Sequence, residues 1–327
     1  MKAYVVSKPG GPEVLELKEV PDPQPELGQA LIGIKAFGLN RAEAVTRMGG
    51  SGKHVVFPKV IGIECVGTIL ACPGGELSVG QTVAAAMGGM GRKYDGSYAE
   101  KTVVPVTNIF PLQTTLDWVT LGSIPETYFT AWGCCFDSLK ISGEKPKILI
   151  RPGASALGIA VVQIINVMGG EVIGVTRSAH KVERLLKAGM KHVIVSEEAV
   201  AEDILDIWPN GANGVIDTIV SKVSVKDDLR MLAKRGRLCV AGSLADSYET
   251  EKPANDLTLF ARPNVGFYSS ETLTAEKNGP ILQNIVHRFE KGDYQPHIDA
   301  VYDFDDLPTT HEKMDNNGFC GKVVVKL

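Results

Sequence analysis

Residues 147–158 read Lys-Ile-Leu-Ile-Arg-Pro-Gly-Ala-Ser-Ala-Leu-Gly: an apolar run, a turn of small residues, and the start of a helix. A strand that delivers such a turn to a helix N-terminus seats a dinucleotide pyrophosphate, because the first-turn N–H groups and the helix dipole both favour an anion. Aligned on G-x-G-x-x-G, Gly153 takes the first place, Ser155 the middle one and Gly158 the last. Ser155, Ala156 and Leu157 are therefore expected to present backbone N–H groups to a pyrophosphate. Serine limits how closely a phosphate can approach, but its hydroxyl offers a donor of its own.

Working outward, residues 170–178 form a second strand, Gly-Glu-Val-Ile-Gly-Val-Thr-Arg-Ser, that ends at Thr176 without the Asp or Glu that would bind the ribose 2′-hydroxyl of NAD. Arg177 and Ser178 hold that corner. A carboxylate there would repel a 2′-phosphate, whereas a guanidinium engages it through parallel hydrogen bonds and stays charged. The expected cofactor is therefore NADP(H), with Thr176, Arg177 and Ser178 at the ribose and Lys181, in the first turn of the next helix, as a second positive charge.

The same alternation continues along the chain. Strands are expected at Lys147–Arg151, Glu171–Thr176, Lys191–Val195, Gly214–Val220 and Arg237–Ala241, with a sixth at Asn264–Tyr268. Between them fall helices from Ser155, from His180, over Val200–Trp208 and over Val223–Lys234. Alternating units of this kind build an α/β fold, a doubly wound parallel sheet. Gly189 and Gly236 are expected just past the ends of helices rich in Lys and Arg. Before residue 120 the chain changes character, with short β-rich runs at Gln29–Phe37, Gly67–Ala71, Thr82–Ala86 and Ala99–Val104 broken by Gly and Pro, the pattern of a small antiparallel barrel. The last run, Gly321-Lys-Val-Val-Val-Lys-Leu, shares that character. The division is thus 1–122 with 269–327 as one discontinuous domain, and 123–268 as the nucleotide domain.

The chain has 327 residues, enough for two domains, with 44% hydrophobic and 22% charged residues and a net charge of −4. That balance, with scattered basic residues, argues against a nucleic-acid surface. No window reaches the ~18 apolar residues of a membrane helix, and the N-terminal apolar run is too short for a signal peptide, so a cytoplasmic protein is expected. The six cysteines form no C-x-x-C pair and no zinc-ribbon spacing.

Several stretches together resemble the medium-chain dehydrogenase/reductase superfamily, and within it the zinc-independent quinone oxidoreductases. They are Gly38-Leu-Asn-Arg-Ala-Glu, Pro58-Lys-Val-Ile-Gly-Ile-Glu-Cys-Val-Gly, Gly80-Gln-Thr-Val, Asp95-Gly-Ser-Tyr-Ala-Glu, Thr130-Ala-Trp, the turn at 153–158 and Gly321-Lys-Val-Val-Val. The resemblance implies a Rossmann-type nucleotide domain joined to a discontinuous GroES-like β-barrel catalytic domain. Zinc alcohol dehydrogenases of this superfamily carry Gly-His-Glu where this chain has Gly62-Ile63-Glu64, and use that His as a ligand. Ile63 cannot bind a metal, Asn40 stands near the other ligand position, and residues 85–115 lack a four-cysteine lobe, so no zinc site is expected. Without a Lewis acid an alcohol is a poor hydride donor, whereas a quinone or α,β-unsaturated carbonyl accepts hydride readily and needs only a few hydrogen-bond donors.

The resemblance also implies roles for individual residues. Asn40 would be an oxyanion donor beside the nicotinamide and Tyr128 a substrate-side hydroxyl. Thr130 would contact the nicotinamide, and Ala241, Gly242 and Ser243 with Phe267, Tyr268 and Ser269 would frame it from two strand ends. Asn316 and Lys322 resemble positions that close over the cofactor. Glu64 reads as structural, holding an arginine or backbone. The tyrosine that relatives often carry five residues past the asparagine is Val45 here, so no proton donor is assigned. The reading is an NADPH-dependent, zinc-independent reductase working across the cleft between barrel and sheet, and a homodimer joined at the sixth-strand edge. An enone or enoyl-thioester reductase would share every cofactor residue; the alternative of another class is an NADPH-binding redox sensor or structural protein with little turnover.

Overall fold

A computed structural model describes residues 1–52, 55–242, 244 and 261–327. The chain divides into two compact units, Met1–Phe129 with Ser270–Gly292 and Ile298–Leu327, and Thr130–Ser269 with Asp293–His297. Strands are numbered along the whole chain.

In the first unit β1 (Lys2–Val6), β2 (Leu15–Glu19) and β4 (Lys59–Val60) form a small antiparallel sheet with β1 at its centre. The larger sheet contains β3 (Gln29–Gly38), β5 (Glu64–Ala71), β6 (Thr82–Ala86), β7 (Lys101–Pro105) and β8 (Ile109–Pro111), with β15 (Ile298–Asp303) and β16 (Lys322–Lys326) from the end of the chain. Its order is β15-β16-β3-β5-β6-β8, with β7 also on β3, and only β15 and β16 run parallel. β3 organises it: Ala30, Ile32 and Ile34 alternate into the core, the period of a half-buried strand. A register shift between Ile34 and Ala36 then accompanies the burial of Ala36, Phe37 and Gly38. The core gathers on Ile32, Phe37, Ile69, Tyr98 and Ile109. β16 pairs with Ala36–Gly38, which brings the tail against the last residues of β3.

The second unit is a six-stranded parallel sheet made of β9 (Lys147–Arg151), β10 (Glu171–Thr176), β11 (His192–Val195), β12 (Ala212–Asp217), β13 (Leu232–Val240) and β14 (Val265–Phe267). The order β11-β10-β9-β12-β13-β14 reverses direction between β9 and β12, as a doubly wound sheet must. Helices Ala156–Val167, Val182–Lys187, Ala201–Ile207 and Lys222–Arg230 connect its strands. Fully buried Leu149, Ile173, Val215 and Leu238 form its core, which explains why these strands read as continuous apolar runs.

Three sequence expectations change here. β12 stops at Asp217 and not Val220, because the Asp217 carboxylate accepts the N–H groups of Ile219 (2.7 Å) and Val220 (3.1 Å) and turns the chain. The following helix ends at Arg230 and not Lys234, since Leu232 pairs with Ala212 and the strand begins at once. Gly236 is accordingly a strand residue and not a helix stop; a Cβ there would lie 2.6 Å from the Ala212 carbonyl oxygen. Gly189, with φ of 105°, does follow the end of helix Val182–Lys187. Among the described residues no helix is long and apolar enough to cross a membrane.

Candidate active site and cofactor turn

In the first unit the residues after β3 and before β5 converge with the start of β16. Asn40 caps helix Arg41–Arg47 in an extended conformation. Its Nδ2 donates to Glu64 Oε1 at 2.8 Å, and its Oδ1 accepts from Lys322 Nζ at 2.9 Å. Lys322 Nζ also donates to Glu64 Oε1 at 2.6 Å, closing a triangle of ammonium, carboxylate and amide. The second oxygen of Glu64 accepts the backbone N–H of Glu126 at 2.8 Å, in the first turn of helix Pro125–Trp132. Glu64 is fully buried and Lys322 nearly so. The charges on either side fix the Asn40 amide, with its nitrogen toward the carboxylate and its oxygen toward the ammonium.

Two sequence expectations are adjusted by this triangle. Glu64 holds a lysine and a backbone N–H, not an arginine. The amide nitrogen expected to serve an oxyanion already has acceptors in Glu64 and, at 3.3 Å, the Gly38 carbonyl. Gly38 makes room for the arrangement, since a Cβ there would lie 2.2 Å from Lys322 Cε and 2.6 Å from Glu64 Oε1.

Behind Asn40 runs a buried chain that sequence reasoning missed. Glu43 accepts the N–H groups of Asn40 (2.7 Å) and Ile63 (3.1 Å) and the Tyr98 hydroxyl (2.9 Å). The Tyr98 hydroxyl lies 2.8 Å from His311 Nε2, and Arg47 Nη1 lies 2.7 Å from His311 Nδ1. Arginine only donates, so Nδ1 accepts and the ring proton sits on Nε2, facing the phenol oxygen. Arg47 Nη2 ends the chain on Asp315 at 2.6 Å. Burial pushes Glu43 up to about 7, against the lowering pull of the Asn40 and Ile63 N–H groups. Burial and the neighbouring Arg47 and Arg41 push His311 down to about 3, so it stands neutral at physiological pH.

Ile63 is buried and contributes only backbone groups, its N–H to Glu43 and its carbonyl, which accepts from Met87 N at 2.8 Å. Among the described residues no group of three or more His, Cys, Asp and Glu side chains is arranged to hold a metal. Zinc needs three or four such donors. Here the apolar Ile63 and the Lys322 ammonium on Glu64 do not provide them.

In the second unit the turn between β9 and helix Ala156–Val167 is tightly built. Gly153 N donates to the Val175 carbonyl at 2.7 Å, and a Cβ on Gly158 would lie 2.4 Å from the Gly153 carbonyl oxygen, so the last glycine is required by close packing of turn and helix. Ser155 is the helix N-cap: its hydroxyl donates to the Pro152 carbonyl (2.8 Å) and accepts from Gly158 N (3.0 Å). The serine hydroxyl is thus hydrogen-bonded on both sides within the turn. The N–H groups of Ala156 and Leu157 have no acceptor among the described residues. These are the orphan donors that a helix start offers to an anion.

Thr176 is buried at the end of β10, and its hydroxyl accepts the Ser178 N–H at 3.2 Å. Arg177 is exposed beside it. Lys181 closes a 3-10 turn, Ala179–Lys181, and so precedes helix Val182–Lys187, which begins after the His180 expected from the sequence. Ala241 and Gly242 follow β13, and Ala241 N donates to the Asp217 carbonyl at 3.1 Å. Phe267 ends β14 and is 60% exposed, and Ser269 is exposed. Tyr268 lies over Gly133, where a Cβ would come within 1.9 Å of the ring. Thr130 is half-buried on helix Pro125–Trp132. Ser243 lies outside the described residues.

In the first unit, Tyr128 packs its buried ring edge-on against Phe289, at 5.0 Å between centroids. Asn316 turns its side chain back to the Glu312 carbonyl at 3.0 Å, a helix C-terminal contact on the exposed end of Leu307–Asp315.

Comparison with known proteins agrees with this architecture. Residues 26–114 match the alcohol dehydrogenase GroES-like domain, and residues 156–278 match the family described as zinc-binding dehydrogenase. The quinone oxidoreductase of Rattus norvegicus is 28% identical over 338 residues, covering 100% of this chain and 98% of the rat protein. The structure of a mycobacterial protein complexed with NADPH superposes over 100% of both chains with a TM-score of 0.85 at 24% identity. A crystal structure described as an NAD-dependent alcohol dehydrogenase does so with 0.84, also at 24% identity over 100% of both chains.

Proposed function

Because this chain is an oxidoreductase of the medium-chain dehydrogenase/reductase family, in its quinone oxidoreductase-like branch, we propose that it reduces quinones or other α,β-unsaturated carbonyls with NADPH and without zinc. The observation that carries this reading is the Asn40–Glu64–Lys322 triangle, a buried ammonium held on a carboxylate next to Ile63, the position at which the resemblance places the ligand histidine of zinc-using relatives. When bound, the reduced nicotinamide supplies the hydride.

The chain's own residues do the rest. The Ala156 and Leu157 N–H groups would hold the pyrophosphate, and Arg177 with Lys181 the 2′-phosphate. Thr130, Ala241, Gly242 and Tyr268 would bound the nicotinamide. Two of the three N–H donors of Lys322 are spent on Asn40 and Glu64, so its charge is fixed in place, suited to favour an oxygen on which negative charge develops. An electron-poor acceptor makes this modest provision sufficient. The same reading makes the chain a cytoplasmic homodimer, joined through the edge strand β14.

Purified protein with NADPH and a panel of quinones, enals and enoyl thioesters tests the reaction: loss of NADPH absorbance on quinones is expected, and tight binding without turnover on any acceptor would refute it. Arg177→Glu tests the cofactor. It should weaken NADPH far more than NADH, by roughly tenfold or more for a lost charge-assisted contact, and equal weakening of both would remove the preference for NADPH.

A further inference from the structure

A cavity of about 490 Å³ opens in the first unit, and no residue assigned above to the reaction lines it. It begins with the run Val20-Pro-Asp-Pro-Gln-Pro, which follows β2. Alternate N–H groups of an extended chain point to the same edge, and proline carries none, so prolines at 21, 23 and 25 leave one edge of this run without a donor. The run accordingly joins no sheet, and a gap stays beside it. Pro21 and Pro23 line the gap from the run itself, Val5 lines it from β1, and Val103 and Pro105 line it from the half-buried face of β7. β3 contributes Gln29, its first residue, whereas the Asn40 triangle gathers at Gly38, its last; the ten residues of that strand span roughly 30 Å.

Three charged side chains border this mostly apolar space: Lys59, Asp95 and Lys101. Lys101 is spent on Asp22. Asp95 is 67% exposed, and its Oδ1 accepts the Val60 N–H at 3.1 Å. Lys59 differs from both. Its side chain is only 14% exposed, yet the carboxylate oxygen it faces, Asp95 Oδ1, lies at 3.7 Å, beyond hydrogen-bond reach. Among the described residues none of its three N–H donors is bonded. An ammonium drawn this far out of water without an acceptor carries a desolvation cost that a bound anion would remove.

We propose that this cavity is a binding site for a small apolar monocarboxylate, with the carboxylate on Lys59 and the apolar body against the prolines and valines. The volume falls in the range of sites that hold small organic molecules, which are likewise apolar with a few placed polar groups. A carboxylate gives Lys59 the charge-assisted bonds it lacks within the chain. One negative charge is also the number that fits, because the lining has two lysines against one aspartate. The site is separate from the proposed reaction and stands whether or not that reading holds.

Amide chemical shifts of the full-length protein, titrated at neutral pH with 2-naphthoate and with its uncharged counterpart 2-naphthamide, test the proposal. The carboxylate should shift the amides of Val60, Gly96 and Val103 with a Kd near or below about 1 mM, as expected of a ligand with about a dozen non-hydrogen atoms. The amide should bind there roughly tenfold more weakly, for want of the charge-assisted contact. Lys59→Met should bring the carboxylate down to the affinity of the amide and leave the amide's own affinity unchanged. Should that variant fail to fold by circular dichroism, Val103→Trp, which fills the cavity from another strand, should abolish binding of both compounds. Equal affinity of the two compounds for the wild type, unchanged carboxylate binding in either variant, or no shift at these amides overturns the proposal. Shifts confined to the surroundings of Asn40 and Lys322 overturn it too, since the compound would then occupy the reaction site.

Discussion

Replacing His311 by glutamine should uncover a pH dependence that the wild-type protein conceals. His311 and Glu43 sit on either side of the Tyr98 hydroxyl, and burial moves them in opposite directions, to about 3 and about 7. Between pH 3 and its ordinary value of 6.5, His311 is neutral in the folded chain and protonated in the unfolded one. The unfolded state then binds more protons, so stability rises with pH by up to about 1.4 kcal/mol per pH unit and is lost as pH falls. Between its ordinary 4.5 and about 7, Glu43 keeps a proton when folded that the unfolded chain releases, so stability falls with rising pH at a similar limiting slope. The windows overlap from 4.5 to 6.5, where the contributions cancel. In His311→Gln the new amide can accept from Arg47 through its oxygen and donate to Tyr98 through its nitrogen, keeping the bonds without titrating. Urea unfolding at closely spaced pH values should give curves that differ by roughly 2–3 kcal/mol at about pH 4.5 relative to about pH 6.5, the variant losing stability as pH rises. Parallel curves for variant and wild type over this interval would refute the neutral, buried histidine.

Removing the cation of the Asn40 triangle in Lys322→Met leaves Glu64 buried with only neutral donors and should cost about 3–5 kcal/mol, a fall in Tm of roughly 10 °C for a domain of this class. The double variant with Glu64→Gln should recover part of that loss, and a simple sum of the two single effects would show the pair to be uncoupled. Gly38→Ala pushes a methyl onto Lys322 and Glu64 and should destabilise by at least about 2 kcal/mol. Gly279→Ala, in helix Ala275–Glu290 with nothing within 4 Å of the new methyl, should instead stabilise by up to about 1 kcal/mol; thermal melts that rank the two alike would contradict the packing described.

What the sequence made legible was local. The run at 147–158 carries strand, turn and helix start within a dozen residues, and each signal acts on its neighbours, so the nucleotide turn and the βαβ order could be read directly. Element ends failed where a side chain far from the pattern decided them. β12 ends early because one carboxylate captures two N–H groups, and the helix after it ends early because Leu232 finds Ala212 across the sheet. Composition marks neither event. The buried chain Glu43–Tyr98–His311–Arg47 was invisible for a related reason: its members lie as far as 264 residues apart between bonded partners, and a glutamate, a tyrosine and a histidine scattered at such distances carry no spacing rule. Gly38 was a usable clue, since a glycine ending an apolar strand signals that something must approach closely. What approaches is Lys322, near the other end of the chain, whose sequence context only resembles a position that closes over the cofactor.

The polypeptide around Ile63 also shows how such a scaffold tolerates the exchange of a ligand side chain for an apolar one. The structural duty of position 63 is performed by its backbone, the N–H donating to Glu43 at 3.1 Å and the carbonyl accepting from Met87 N at 2.8 Å, and any residue except proline supplies both groups. Glu43 in turn ties the N–H of Asn40 to the same carboxylate, so the loop after β3 and the segment before β5 are joined through backbone on both sides. A side chain at 63 can therefore change from imidazole to sec-butyl without loosening the frame. Charge is the remaining requirement, because a buried carboxylate at 64 needs a positive partner whether or not a metal is near. Lys322 meets it from β16, a strand fixed to β3 by three consecutive paired residues, and it does so only because Gly38 leaves the space. The polar triangle thus follows from two constraints the fold imposes independently, a backbone-held loop and a carboxylate that must be neutralised, and neither depends on what residue 63 can ligate.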